Sequence, residues 1–338
     1  MEIRTCKECG FILGTRPRSK EENGVCLACA NKRRKEAIDW QGRQKWLTDY
    51  LAAHRNPEAQ WDVVVGVSGG KDSCAIVRRL IENHHVPHDR LLLVHVCDEF
   101  TPSEAGLYNL DNLVKTYDVD LMNFRCAPRT FVKETKKSFL EKLHPLEWIE
   151  QQLYAKPLEV AEAFGIPTVF MGENSAFEYG ETEECEIFHP AGNDRTKVIF
   201  LGAVYPYSNA DSLEVSKEIG FKTLDDFDDW QRQGSADPFT QIDSKGYMIQ
   251  HWTKFIKFGF QRVSDMACRL VREGVLTKEQ AERKVKDSDW ICDPLAKKDF
   301  CRTICITEQE FDETVDKFAN KELLVKDVNG NWRRKDLL

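Results

Sequence analysis

Apolar runs alternate with amphipathic stretches between residues 62 and 203. Five runs predict β-strands, and the segments between them have helical spacing. The predicted strands are DVVVGV (62–67), LLLVHV (91–96), VDLMNF (119–124), PTVFMG (167–172) and VIFLGA (198–203). One of the intervening helices is PLEVAEAFG (157–165), which ends at a glycine. This alternation predicts an α/β fold with a parallel sheet covered by helices.

The segments on either side of this alternation have other patterns. Residues 1–36 contain few large apolar side chains, whereas the aromatic and leucine residues of IDWQGRQKWLTDYLAAH (38–54) have near-helical spacing. Towards the C-terminus the pattern is helical, and TKEQ (277–280) and TEQE (307–310) are spaced as capping boxes. The predicted organisation is a head at 1–36, a linker helix at 37–60, the α/β domain at 61–205 and a mainly helical region at 206–338.

Composition and charge narrow the class of protein. The chain has 338 residues, of which 41% are hydrophobic and 31% charged, as in ordinary globular proteins of about two domains. Its net charge of −8 argues against a large nucleic-acid surface. MEIRTCKECG lacks the apolar core of a signal peptide, and the longest apolar runs are far below the ~20 residues of a membrane helix. We therefore expect a cytoplasmic protein.

Four of the twelve cysteines form two C-x-x-C pairs in the head. Cys6 and Cys9 make the first pair, Cys26 and Cys29 the second, with residues 10–25 between them. This spacing predicts a zinc ribbon with four thiolate ligands, a closed site with a structural role. Because the head is too short to bury a core of its own, metal would supply its folding energy. An iron–sulfur centre and two unrelated, redox-active pairs are the alternatives.

Other cysteines and histidines carry weaker signals. Cys74 and Cys268 lie among helical apolar residues and are expected to be buried small hydrophobes. His95 is on an apolar strand and is expected in the core, whereas the roles of His189 and His251 stay open. Cys97, Cys126 and Cys185 would form a second metal group, such as an iron–sulfur cluster, only if they met near the strand ends.

The sequence SGGKDS, residues 68–73, directly follows the first predicted strand. Two adjacent glycines leave backbone N–H groups accessible, and the N-terminus of the next helix favours an anion. The common phosphate-loop pattern G-x-x-x-x-G-K-[ST] does not fit. Val65 stands where its first glycine would be, and Asp72 follows Lys71. The stretch therefore predicts a phosphate-binding loop of another class.

SGGKDS in this context resembles the SGGxDS loop of the PP-loop ATP pyrophosphatases. Those enzymes cleave ATP between the α and β phosphates and adenylate a substrate oxygen, so the resemblance implies ATP and Mg²⁺ as cofactors. It implies that Lys71 and Asp72 take part in catalysis, with Asp72 orienting the loop or holding Mg²⁺. The residues implied to bind the nucleotide are Val67, Ser68, Gly69, Gly70, Lys71, Asp72, Ser73, Asp98, Gly106 and Gly172.

Three further stretches narrow the resemblance. GENSAFEYGETEE (172–184), HWTKFIKFGFQRVSD (251–265) and REGVLTKEQA (272–281), together with the cysteine head and SGGKDS, resemble the N-acetyl sugar amidotransferase family. That family belongs to bacterial O-antigen and pseudaminic- or legionaminic-type (nonulosonic acid) pathways. The resemblance implies conversion of an acetamido group into an acetamidino group with ATP and ammonia. It implies catalytic roles for Glu173 and Glu178, and substrate contacts by Asn109, Asn174, Tyr179, Lys254, Lys257 and Arg262.

The source of ammonia is expected to be a separate glutaminase. A glutaminase with an N-terminal nucleophile would begin with cysteine after removal of methionine, but Glu2 follows Met1 here and the first cysteine is Cys6. A G-x-C-x-G nucleophile turn is also absent from the sequence. Assembly into a homo-oligomer stays open.

Two other functions remain open from the sequence. The first is a tRNA-modifying PP-loop enzyme of the thiolation type. Such enzymes usually carry C-x-x-C cysteines inside the α/β domain and a basic RNA surface; this chain lacks the former, and its net charge speaks against the latter. The second is a nucleotide-binding scaffold whose zinc ribbon docks a partner, which the intact SGGKDS loop disfavours.

Overall fold

A computed structural model of the protein describes residues 3–172, 180, 182, 185–206 and 208–338. The head consists of a short hairpin and a helix, and a second helix follows. These elements are β1 (Glu21–Glu22), β2 (Val25–Cys26), α1 (Leu27–Glu36) and α2 (Trp40–Ala53). Helix α2 is the predicted linker helix, and its N-terminus is capped by the Asp39 carboxylate, which accepts a hydrogen bond of 2.9 Å from the Gly42 amide.

A six-stranded sheet lies at the centre of the described part of the chain. Its strands are β3 (Val63–Val67), β4 (Leu91–Cys97), β5 (Asp120–Arg125), β6 (Thr168–Met171), β7 (Phe188–His189) and β8 (Lys197–Phe200). Their order is β5-β4-β3-β6-β8-β7, and every pair is parallel except the edge pair β7–β8. The predicted α/β fold is confirmed, and the continuous apolar runs of β3 and β4 are explained by burial of both faces.

Helices connect and cover these strands. They are α3 (Lys71–Arg78), which continues into a π-helical turn at Arg79–Asn83, α4 (Glu104–Tyr117), α5 (Pro128–Lys142) and α6 (Glu147–Ala163). The helix predicted at 157–165 is therefore wrong at its start, because Pro157 lies inside α6. Gly66 on β3 leaves room for the proline ring, whose Cγ would lie 3.3 Å from a Cβ at that glycine. Packing against the sheet thus compensates for the missing backbone N–H.

The chain beyond residue 206 is mainly helical and ends in a hairpin. Its elements are α7 (Asn209–Lys217), α8 (Met248–Phe258), α9 (Arg262–Arg272), α10 (Lys278–Ser288), α11 (Pro294–Thr303), α12 (Glu308–Phe318), β9 (Leu324–Lys326) and β10 (Trp332–Arg334). Both predicted capping boxes are confirmed, at the starts of α10 and α12. None of the helices described combines the length and apolar character needed to cross a bilayer.

The head packs against α9 rather than standing apart. The rings of Phe11 and Phe260 meet edge to face with centroids 5.0 Å apart, and Cys268 is buried in the same apolar cluster. Beside them, the Arg16 guanidinium lies 3.1 Å from the Asp265 carboxylate, and both side chains are largely buried. The head therefore shares its core with the C-terminal region.

Candidate active site and metal centre

The SGGKDS loop lies at the carboxyl end of β3, and α3 begins within it at Lys71. The Ser68 amide donates a hydrogen bond of 3.2 Å to Ser73 Oγ, which closes the loop on itself. The Lys71 side chain is buried, and its Nζ donates a bond of 2.7 Å to Asp72 Oδ2. The loop is thus held in shape at the N-terminus of a helix, where anions are favoured.

Asp72 remains ionised in this setting. Burial alone would raise the pKa of its carboxyl group, but the adjacent Lys71 ammonium opposes this, and a hydrogen bond from Ser212 and the charge of Arg262 add to the effect. The resulting pKa lies below the usual value for aspartate. A charged carboxylate at the start of α3 is suited to orient the loop or to bind a hard cation.

Two glycines bring three segments of the chain into backbone contact. Gly69 has a positive φ of 85°, and a Cβ at this position would lie 2.6 Å from the Gly106 carbonyl oxygen. A Cβ on Gly106, in the first turn of α4, would in turn lie 3.0 Å from the Ile242 oxygen and 3.1 Å from Asp243 Cα. Only residues without side chains allow the phosphate loop, α4 and the segment around Asp243 to stack in this way.

A cavity of about 620 Å³ opens beside the phosphate loop. It lies outside the carboxyl ends of the parallel strands, where α/β sheets bind ligands. Val67 and Gly172, which stay predictions as nucleotide-binding residues, are part of its wall. Polar side chains on the wall are Ser68, Asp72, Ser73, His95, Asp98, Glu150, Tyr154, Gln241, Asp243, Ser244, Tyr247, His251 and Lys254. The cavity therefore combines the phosphate loop with groups from β4, α6 and the C-terminal region.

Two carboxyl groups face this cavity near the loop. Asp98 accepts hydrogen bonds from the Phe100 amide (2.9 Å) and Ser244 Oγ (2.6 Å), yet burial raises its pKa to about 6. Burial and the charge of Asp98 raise the pKa of Asp243 to about 7, although a hydrogen bond from Ser68 opposes the shift. Both groups titrate near neutral pH beside the place where phosphates are expected.

The raised pKa of Asp243 predicts a pH effect on stability. Between the unfolded value near 4 and the folded value near 7, the folded state binds more protons than the unfolded state, so its free energy of unfolding falls as pH rises. We expect the wild-type protein to lose thermal stability relative to Asp243→Asn between pH 5 and pH 8. Melting temperatures of both proteins measured across this pH range check the prediction. A constant difference between the two melting temperatures would contradict the raised pKa of Asp243.

The C-terminal region supplies a basic side of the cavity. Lys254, a predicted substrate residue, lines it beside His251 on α8. Burial lowers the pKa of Lys254, against the nearby charge of Asp265. Arg262 is buried and close enough to Asp72 and His251 to shift the pKa of each. Of the three predicted basic residues, Lys254 thus lines the cavity and Arg262 lies close to Asp72 of the phosphate loop.

Other predicted residues lie elsewhere. Lys257 is outside the cavity wall and reaches towards the Lys142 carbonyl oxygen at 3.4 Å. Asn109 is fully buried, and its side-chain amide bonds to the backbone of Lys222 in both directions, at 2.8 Å each, so the structure does not bring it to the cavity. Four predicted residues lie outside the described part of the chain: Glu173, Asn174, Glu178 and Tyr179.

His95 was expected in the core, and this is wrong. Its ring lines the cavity, with Nδ1 3.0 Å from the Val67 carbonyl oxygen. His95 is near the end of β4, where the fully buried pattern of the strand ends, so that an otherwise apolar strand presents a polar ring to the cavity. Burial keeps the pKa of His95 below its usual value, and the ring is neutral at physiological pH.

The four head cysteines form a compact, buried group. Their sulfur atoms all lie within 4.8 Å of one another, with 3.9 Å between Cys6 and Cys29 and 3.7 Å between Cys9 and Cys26. A tetrahedral ion with Zn–S bonds of ~2.3 Å requires sulfur atoms about 3.8 Å apart, so the group fits zinc. Sulfur atoms this close leave room for one ion and not for a cluster of several irons. A structural zinc centre is therefore compatible with the head.

Groups around two of these sulfur atoms, those of Cys6 and Cys9, favour thiolates. The Cys26 amide donates to Cys6 Sγ at 3.3 Å, and Arg272 donates to Cys9 Sγ at 3.8 Å from α9. No second metal group was found among the described residues, and Cys185 lies beside Arg43 of α2, its Sγ 3.6 Å from that guanidinium. Cys97, Cys126 and Cys185 therefore do not form the metal group considered from the sequence.

A family comparison adds information on the C-terminal region. Residues 223–336 match the family described as LPS biosynthesis protein WbpG-like, C-terminal domain. The C-terminal region is similar to a lipopolysaccharide-biosynthesis domain. The match agrees with the resemblance predicted from the sequence, for the C-terminal region and as far as lipopolysaccharide biosynthesis. It includes Asp243, His251 and Lys254, so the matched region supplies part of the cavity wall.

Individual relatives share little sequence identity with this chain. An uncharacterized protein of Methanocaldococcus jannaschii, MJ1599, is 22% identical over 79% of this chain and 87% of its own length. The NH3-dependent NAD synthetase of Campylobacter jejuni, solved with nitrate, is 16% identical over 41% of this chain and 58% of its own, with a TM-score of 0.32. The NMN synthetase of Francisella tularensis is 14% identical over 71% and 96%, with a TM-score of 0.34. TM-scores this low support no functional comparison.

Proposed function

We propose that the protein is an ATP-dependent amidotransferase acting on an N-acetylated sugar. The enzyme would convert the acetamido group into an acetamidino group and release AMP and pyrophosphate. One observation carries this proposal: the phosphate loop and the region similar to a lipopolysaccharide-biosynthesis domain line the same cavity. ATP-dependent chemistry and a sugar substrate would therefore share one site.

The reaction consists of two balanced steps. In the first, the amide oxygen attacks the α-phosphorus of ATP, pyrophosphate leaves, and the amide nitrogen loses its proton to give an O-adenylyl imidate. In the second, ammonia adds to the imidate carbon, the new nitrogen loses a proton, and AMP leaves with the oxygen. Adenylation is needed because an amide carbonyl is a poor electrophile and its oxygen a poor leaving group.

The phosphate loop would carry the first step. Its backbone N–H groups and the hydroxyl groups of Ser68 and Ser73 would hold the phosphates, and Lys71 would add a positive charge near the leaving pyrophosphate. Asp72 is the residue suited to hold Mg²⁺, which when bound offsets charge on the phosphates. Positioning of the amide oxygen in line with the leaving group accounts for most of the catalysis expected here.

The second step needs a proton acceptor. Glu173 and Glu178 are proposed from the family resemblance. Among the described residues, Asp98 and Asp243 line the cavity, and pKa values of about 6 and about 7 suit them to accept a proton at neutral pH. Ammonia would come from a separate glutaminase in the cytoplasm.

The experiment supplies purified protein with ATP, Mg²⁺, ammonium chloride and a panel of N-acetylated sugars, both nucleotide-linked and free nonulosonic acids. We expect stoichiometric AMP and a product whose mass differs from the substrate by the exchange of oxygen for NH. Lys71→Met should lower the rate about 10²- to 10³-fold, as loss of a preorganised charge does. AMP formed with tRNA but with no sugar, or no AMP with any acceptor, would contradict the proposal.

A further inference from the structure

The head contacts the β6–β7 connection, residues 172–187. Gly172, directly after β6, is part of the cavity wall. Farther along this connection, Gly180 and Thr182 both lie against α1 of the head. The connection therefore joins the cavity wall to the helix that carries Cys29, a member of the metal group.

Gly180 meets α1 backbone to backbone. It is buried and has a positive φ of 66°. A Cβ at this position would collide with the Ala28 amide nitrogen and lie 3.0 Å from the Leu27 carbonyl carbon. Leu27 and Ala28 stand between Cys26 and Cys29 in the sequence, so the contact is made at the turn that a bound metal would hold. Only a residue without a side chain fits here.

Asn31 makes the second contact between the head and the connection. It is fully buried on α1, and its Nδ2 donates a hydrogen bond of 2.8 Å to the Thr182 carbonyl oxygen. Its Oδ1 accepts a hydrogen bond of 2.7 Å from Arg34, which fixes the orientation of the amide. Because the bond to Thr182 is made with the main chain, it holds the backbone of the connection whichever side chain residue 182 carries.

Arg43 of α2 holds the connection at a third point. Its Nη1 donates to the Cys185 carbonyl oxygen at 2.9 Å and to the Ala203 carbonyl oxygen at 2.6 Å. Ala203 lies just beyond β8, which runs parallel to β6, so the carboxyl ends of both strands are at the edge of the sheet where the cavity opens. The bond to Cys185 therefore ties this part of the connection to the same edge of the sheet.

The connection contains two residues proposed for catalysis. Glu173 and Glu178 precede Gly180 in the sequence, and their roles are implied by the family resemblance. We propose that Asn31 is a positioning residue for the reaction, which through Thr182 fixes the chain that carries these two glutamates. The inference rests on the proposed function. It gives the metal group a role beyond the folding of the head, because a bound metal fixes α1 and α1 fixes the connection.

Hydrogen exchange tests this role without catalysis. Asn31→Asp keeps the size of the side chain and an acceptor for Arg34, but a carboxylate cannot donate to Thr182. In the zinc-loaded full-length protein, exchange of the peptide that contains Thr182 should become about five- to tenfold faster, while exchange of the head and the zinc content stay unchanged. Asn56→Asp is the matched control, since its Nδ2 donates to the Gly165 carbonyl oxygen at 2.9 Å, before the start of β6.

Gly180→Ala tests the same role from the other side of the contact and leaves the sequence of the head unchanged. The new Cβ displaces the connection from α1, so exchange of the same peptide should rise. Gly165→Ala is its control. The φ of Gly165 is also 66°, but the nearest atom to the position of its Cβ is Asn56 Nδ2, at 3.6 Å.

Kinetics separate positioning from a general loss of structure. At saturating ATP, Asn31→Asp and Gly180→Ala should lower the kcat of AMP formation about ten- to a hundred-fold, with the Kd of ATP from calorimetry unchanged. A substitution that only weakened the fold would reduce ATP affinity and zinc content as well. Asn56→Asp and Gly165→Ala should match the wild type in kcat, Kd and zinc content.

Exchange and kinetics also distinguish this proposal from the proposed reaction. If no acceptor yields AMP but exchange rises in both variants, the reaction is wrong and Asn31 still positions the connection. Wild-type exchange in both variants would overturn the proposal, and so would a peptide that is already unprotected in the wild type. If the wild type forms AMP and both variants keep its kcat, Asn31 is not a positioning residue.

Discussion

Replacing Cys9 by serine is expected to remove the metal from the head and to unfold residues 1–36. Cys9 Sγ lies 3.7 Å from Cys26 Sγ and accepts from Arg272, so its loss opens the tetrahedron and the contact with α9 together. Metal binding by four thiolates contributes on the order of 10 kcal/mol to the folding of such small units. The loss should therefore exceed that of any single packing defect in the chain.

Metal content and thermal unfolding of the purified protein measure this effect. We expect about one equivalent of zinc in the wild type and none in Cys9→Ser, with a lower melting temperature because the unfolded head no longer packs against α9. Cys305→Ser is the matched control, since Cys305 is exposed and outside the metal group. Full zinc content in Cys9→Ser, or equal loss in the control, would show that the four sulfur atoms do not form the site.

Replacing Gly69 by alanine is expected to disable the phosphate loop. The new Cβ would lie 2.6 Å from the Gly106 carbonyl oxygen, a backbone atom that cannot move without shifting the first turn of α4. The positive φ costs about 1 kcal/mol and the overpacking about 1–3 kcal/mol more. Displacement of the loop by about 1 Å should lower AMP formation about 10²-fold.

A substitution at a second glycine, Gly274, separates the cost of the positive φ from the cost of the steric contact. Gly274 also has a positive φ, of 77°, but no atom lies within 4 Å of the position of its Cβ. Gly274→Ala should therefore cost only the backbone term, about 1 kcal/mol, and leave AMP formation unchanged. Urea unfolding gives both stabilities. Equal destabilisation by the two substitutions would mean that the contact between Gly69 and Gly106 is not a constraint.

Short sequence motifs predicted their parts of the molecule well, whereas contacts between residues far apart in the sequence were not predicted. SGGKDS and the C-x-x-C pairs are short motifs whose chemistry depends on neighbouring residues, so spacing alone located the loop and the metal group. Asp243 reaches the loop through backbone contact with Gly106, far away in sequence, and no motif marks it. In the sequence, His251 is simply a histidine on an amphipathic helix. That its ring nitrogens lack hydrogen-bond partners becomes evident only when the packing is known.

The wrong predictions for Pro157 and Asn109 also result from contacts between residues far apart in the sequence. The helix predicted at 157–165 began at Pro157, but Gly66 on the strand beneath has no side chain and leaves room for this proline inside α6. Asn109 was a substrate candidate, and its amide instead holds the backbone of Lys222. In both cases the deciding neighbour comes from another element, which a single sequence does not identify.

The segment around Asp243 is held by its main chain. The Ser103 amide donates to the Asp243 carbonyl oxygen at 3.0 Å, the Lys245 amide donates to the Thr101 carbonyl oxygen at 2.9 Å, and Pro102 and Ser244 form an isolated antiparallel bridge. Anchoring of this type does not depend on which side chains the segment carries. The frame is therefore expected to persist when side chains that face the cavity are exchanged, and a combinatorial library at positions 241 and 247, with Asp243 kept, tests whether the ligand preference of the cavity can be changed without unfolding the segment.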